Sequence, residues 1–187
     1  MNPTASHDPN QLAALLSSRK LPPVHQWNPE FCGDMDMRIA RDGTWFYMGS
    51  PIGRKKLVEL FSTVLRRDDD DEFYLVTPVE KLRIIVDDAP FVAVEVDCLN
   101  PGENQELLFR TNVGDVIKAD SEHAIRVVTD PETQEPSPYV MIRDRLEALI
   151  ARPVFYELVE RAQEHKQEGI IELGLYSCGE FFSLGRL

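Results

Sequence analysis

Charged groups at the starts of helical stretches are the residues in this chain best placed to do chemistry. The segment Ser50-Pro51-Ile52-Gly53-Arg54-Lys55-Lys56 precedes a run of apolar residues at helical spacing. It sets Arg54 beside the free backbone N–H groups and the positive dipole end of a helix, which suits an anion. Lined up in a solvated first turn, the same cations are merely unfavourable against the dipole, at little cost. Arg143 and Arg145 open a second helical stretch and Arg152 follows two turns on. A guanidinium fork matches phosphate or carboxylate better than an ammonium does.

Around these cations stand groups able to complete a site. Trp45 and Tyr47 alternate with Phe46 and either stack a purine ring or pack a core. Glu80, Asp87 and Asp88 flank short strands, where they accept hydrogen bonds from ribose hydroxyls or cap turns. Thr111, Asn112 and Asp115 belong to a TNVGD turn whose short polar side chains favour bonding to their own backbone over contact with a ligand. Asp88 and Asp115 are also the acids on which an alternative reading rests, a hydrolase or transferase acting on a phosphorylated or acyl substrate.

Other chemistries lack their patterns. The acidic run Asp68–Asp71 and the pair Asp34 and Asp36 have neither the alternation nor the glycine of a calcium loop and read as solvated charge. His7, His25, His123 and His165 show no metal-ligand spacing, and the chain has no GxSxG, Walker or GxGxxG motif. No catalytic residue, metal or cofactor is assigned. Cys32, Cys98 and Cys178 are too few and too scattered for a disulfide framework.

The elements that must position these groups follow from periodicity. A helix from Asp8 or Asn10 to Ser18 forms an arm ending at Pro22-Pro23. Met35, Met37 and Ile39 alternate, Asp42-Gly43 turns, and Trp45–Met48 returns, predicting a hairpin over 35–48. A helix capped by Ser50, with Pro51 in its first position, runs to Arg67. Short strands follow at 73–76, 82–86, 91–98, 107–111, 115–119, 124–129 and 139–142, with antiparallel neighbours and an exposed loop over 130–138. A second helix starts near Asp144, carries Leu146, Leu149 and Ile150, is kinked at Pro153 and continues to Lys166. One or two strands close the chain over 169–184. The order strand, loop, strand, helix over 35–67 recurs over 124–166, so the chain reads as α+β, built of duplicated hairpin-plus-helix units with antiparallel sheets. The expected division is an arm of 1–21, an N-terminal half of 22–86 and a C-terminal half of 87–187.

The net charge of −12 opposes capture by nucleic acid or an acidic lipid surface. No apolar run approaches membrane-spanning length, and the N-terminal residues lack the pattern of a secretory signal, so a cytoplasmic protein is expected. Neither the oligomeric state nor the ligand is legible.

The strings MRIARDGTWFYMGSPIGRKKLVELF, FYLVTPVEKLRIIVDDAPF, FRTNVGD and PYVMIRDRLEALIARPVFYELVE, in this order, resemble a bacterial family known as domain-of-unknown-function family 1285. The resemblance implies a duplicated α+β core with a C-terminal half loosely like pleckstrin-homology domains. It also implies a nucleotide-like ligand between the halves and a role in signal transduction, and it carries no catalytic assignment. On this reading Arg54, Arg143 and Arg152 hold the anionic group and Trp45 or Tyr47 contacts the ring.

Overall fold

The computed structural model describes residues 21–187. The helix expected up to Ser18 lies outside the described residues. Internal contacts divide the chain into two units, one reaching to Ala40 and resuming over Thr44–Asp87, the other comprising Arg41–Gly43 and Asp88–Leu187.

In the first unit, alternating Met35, Met37 and Ile39 are buried along β1 (Phe31–Ile39), as a period of two requires. The chain returns as β2 (Trp45–Tyr47) and turns again through Met48 and Gly49, both at positive φ, into β3 (Ser50–Pro51). That two-residue turn matches the twist of a hairpin. Ser50 therefore pairs with Tyr47 in a sheet and caps no helix. Helix α1 (Lys55–Ser62) starts after Arg54 and stops early, because the hydroxyls of Ser62 and Thr63 donate to the carbonyls of Glu59 and Leu60. Val64 and Leu65, at helical spacing in the sequence, are buried beyond the helix, Leu65 at the start of β4 (Leu65–Arg67). β5 (Phe73–Val76) and β6 (Lys81–Val86) complete a sheet ordered β3-β2-β1-β6-β5-β4, in which β1 and β6 run parallel.

The second unit repeats that topology. β7 (Phe91–Leu99), β8 (Glu106–Thr111) and β9 (Val116–Lys118) form one meander, and β10 (Ile125–Thr129), β11 (Pro136–Arg143) and β12 (Leu146–Ile150) form another. Their order is β10-β11-β12-β7-β8-β9, again with the first and last strands parallel at the centre. The match extends to single bonds. Asp87 N–H donates to the Ile39 carbonyl just past one parallel pair, and Ala151 N–H to the Ala93 carbonyl just past the other. Helix α2 (Arg152–Arg161) follows β12, and a separate sheet β13-β14-β15 (Gln163–Gln167, Ile170–Ser177, Glu180–Arg186) ends the chain. The fully buried Ser177 ties that sheet down, its hydroxyl donating to the Ala119 carbonyl and accepting from Leu107 N–H.

Three expectations are corrected here. The described residues are mostly β with two short α-helices, and their two six-stranded sheets are mixed, since each joins two antiparallel meanders through one parallel pair. The duplication is real, but its unit is the pair of meanders, so β1 corresponds to β7 and β6 to β12. The helices do not correspond: α1 lies between the two meanders of its unit and α2 after both. Residues 144–150 are a turn and a strand. Asp144 and Arg145 both take positive φ, making a tight hairpin without glycine, and Leu146, Ala148 and Ile150 point inward with period two. Past Arg161 the expected helix gives way to β13.

Candidate ligand site

The residues singled out from the sequence fall into three groups. Trp45 is 1% exposed and stacked on Phe61, so its ring belongs to the core; its Nε1 has no hydrogen-bond partner. Tyr47 is half-buried on β2. Glu80 closes a turn in which its N–H donates to Thr77 Oγ1 and its carbonyl accepts from Thr77 N–H.

The second group is tied up in the C-terminal unit. Thr111 Oγ1 accepts from Asp115 N–H, the local bonding expected of a TNVGD turn. Asn112 Oδ1 accepts from Val92 N–H, while Asn112 N–H donates to the Val92 carbonyl, so this side chain extends the pairing of β7 with β8. Asp115 receives a 2.7 Å bond from Arg143, whose guanidinium also lies 5.1 Å from the Phe91 ring centroid. Asp88 accepts from the Tyr139 hydroxyl at 2.8 Å and has Arg41 Nε 3.4 Å from its other oxygen. Burial first, then the Asp88 bond, holds the Tyr139 phenol above its ordinary range. Arg126 lies over the Tyr139 ring and grips Glu147 with both arms of its fork. Two carboxylates already held by arginines make poor general bases, and this weighs against hydrolysis through Asp88 and Asp115.

The third group is unengaged. Most described arginines have a carboxylate partner, among them Arg38 on Asp87, Arg83 on Asp34 and Arg110 on Glu95. The side chains of Arg54, Arg152 and Arg161 have no hydrogen bond or ion pair among the described residues. Arg54 and Arg152 stand exposed at the two helix starts, as their sequence positions suggested. Arg161 carries no signal in the sequence, because the helical period continues past it to Lys166, whereas the helix itself ends at Arg161.

Arg161 ends α2 on the rim of an open hollow of about 520 Å³ within the C-terminal unit. Gln163 of β13 lies beside it, Tyr176 of β14 lines it with an exposed side chain, the neighbouring Leu175 is almost fully buried, and Glu103 and Gln105 of the β7–β8 connection complete the lining. The connection is pinned: Gln105 Nε2 donates to the Tyr176 carbonyl at 2.8 Å, and its own carbonyl accepts from Cys178 N–H at 2.9 Å. The Tyr176 ring is held from behind, its hydroxyl 3.3 Å from His165 Nδ1 and its centroid 5.2 Å from that of Phe181. The volume lies in the range of small-molecule pockets, roughly 300–1,000 Å³. Among the described residues no group of three or more His, Cys, Asp or Glu side chains is arranged to hold a metal ion. None of their helices is long and apolar enough to cross a membrane.

Two six-stranded mixed sheets of one topology, followed by a small third sheet beside a hollow with an unengaged arginine, define a β-rich protein with an internal duplication. The chain belongs to the DUF1285 family of unknown function: the family's N-terminal domain matches residues 22–89 and its C-terminal domain residues 90–184. A DUF1285 family protein from Silicibacter pomeroyi DSS-3 has a crystal structure that is similar over 96% of each chain, with 50% sequence identity and a TM-score of 0.88. A DUF1285 family protein from Shewanella baltica OS155 is similar over 68% of this chain and 92% of its own, with 27% identity and a TM-score of 0.53. No curated protein matches the chain.

Proposed function

We propose that this protein is a binding module for a small, nucleotide-like anion, seated in the hollow of the C-terminal unit, and that its role is regulatory. The observation that carries the reading is Arg161, one of three described arginines whose guanidinium has no partner and the one of the three that lines a recess of ligand size. Beside it the fixed, exposed ring of Tyr176 offers an apolar surface to a planar group. A regulatory role is supported by the engagement of Asp88 and Asp115, which leaves binding as the better-founded activity. The pleckstrin-homology likeness of this unit belongs to the same reading and is supported by two meanders followed directly by a helix.

Isothermal titration with adenosine monophosphate tests it. Saturable binding is expected, weakened at least about tenfold in Arg161→Gln, the worth of one charge-assisted hydrogen bond. Circular dichroism should show the fold unchanged. Loss in Arg54→Gln or Arg152→Gln instead would move the seat to a helix start, and the absence of saturable binding would end the reading.

A further inference from the structure

Arg161 does not line the hollow alone. Glu103, on the pinned β7–β8 connection, lines it too, and the two opposite charges form no ion pair with each other. A simple anion satisfies the guanidinium and leaves the carboxylate facing like charge. A carboxylate only accepts hydrogen bonds, so the occupant must bring donors as well as a negative group. An amino acid would do so with its ammonium, but it is small for a space of about 520 Å³ and leaves the exposed Tyr176 ring bare. A ligand carrying an anion, a flat ring and two adjacent hydroxyls engages Arg161, Tyr176 and Glu103 together.

We infer that the hollow takes a ribonucleoside 5′-phosphate, with Glu103 accepting from the two ribose hydroxyls while Arg161 holds the phosphate and Tyr176 lies against the base. The assignment rests on the nucleotide-like reading above and adds to it a residue that tells ribose from deoxyribose. Carboxylates perform this task on the ribose of dinucleotides in another fold, through the same pairing of two acceptors with a diol.

Titration of the full chain with adenosine monophosphate, 2′-deoxyadenosine monophosphate, inorganic phosphate and glutamate separates the possibilities. Wild type should bind the ribonucleotide about tenfold more tightly than the deoxynucleotide, the worth of one well-made hydrogen bond. Glu103→Gln should bring that ratio close to one, while inorganic phosphate, relieved of the like charge that it faces in the hollow, should bind no more weakly than to wild type. Equal affinity for the two nucleotides, both lost in Arg161→Gln, would overturn the role of Glu103 and leave the anion site standing. Glutamate binding in preference to either nucleotide would overturn the ligand class. Failure of every anion to bind would remove the underlying reading itself.

Discussion

The ion cluster at the turn between β4 and β5 shows how much individual residues here are decided by partners remote in sequence. Arg66 is 14% exposed and uses its donors on Asp68 and on the carbonyls of Val24 and Trp27. Lys81 reaches the same Asp68 and lies 4.1 Å from the Tyr74 ring centroid. The acidic run that reads as solvated charge is therefore in part a built structure, with Asp70 accepting from the Tyr74 hydroxyl at 2.6 Å. Burial pushes the Asp68 carboxyl up, but the bonds from Arg66 and Lys81 outweigh it and leave the group below its ordinary value of 3.8. A depressed pKa contributes stability that is present above the unfolded value, near pH 4, and is lost as pH falls through the folded value. Asp68→Asn leaves two half-buried cations without a counter-charge and should cost about 2–4 kcal/mol in urea unfolding at pH 7. Its stability should also fall less steeply than that of wild type as pH drops below about 4 and through that lowered pKa. An unchanged acid limb would show that the cluster contributes nothing through Asp68. Such residues are legible as charged but not as paired, because Arg66 meets Val24 across 42 positions and Asp34 meets Arg83 across 49.

Individual elements were legible where one period dominated and misread where two periods coincided. Met35, Met37 and Ile39 allow only a strand, and a strand forms. Leu146, Leu149 and Ile150 also fit a helix, but the buried set is Leu146, Ala148 and Ile150, and the decisive member is an alanine that weighs little in any hydrophobic count. The turn before it, Asp144-Arg145, lacks the glycine that signals a hairpin. The same misreading put Pro153 inside a helix. In the structure it is the second residue of α2, where its missing N–H would have had no partner within the helix. The sign of a substitution separates the two placements. Pro153→Ala in a helix interior would stabilise by about 3 kcal/mol. At the helix start it should destabilise by about 0.5–1 kcal/mol, since the unfolded chain gains freedom and no bond is gained. Chemical denaturation of that variant reads the sign directly, and a gain in stability would put the helix start elsewhere. The seat of the proposed ligand was hidden for a related reason. Arg161, Glu103 and Tyr176 come from a helix end, a connection and a strand, and no motif spans them.

At the scale of the whole molecule, the repeated topology makes each sheet strongest at its middle. β1 and β6 in one unit, and β7 and β12 in the other, are flanked by strands on both sides, whereas β3 and β9 are outermost. Ile39 and Ala93, which accept the equivalent bonds just past the two parallel pairs, are both fully buried. Opening these pairs requires two meanders to part, while β3 and β9 can fray alone without uncovering much apolar surface. Parallel pairing is slightly weaker per residue than antiparallel pairing, so a sheet limited only by its ladder would open first at that junction. Burial argues the opposite, because the central strands carry almost fully enclosed side chains such as Met37, Ile39, Phe91 and Ala148, and exposing them costs about 25 cal/mol for each Å² of apolar surface. Native-state hydrogen exchange decides between the two effects. Burial predicts that amides of β1, β6, β7 and β12 exchange about a hundredfold or more slowly than that of Ser50 in β3 and those of β9, with the same ranking in both units. Faster exchange at the parallel pairs than at the antiparallel pairs beside them would show that ladder geometry, not burial, sets the stability of this duplicated architecture.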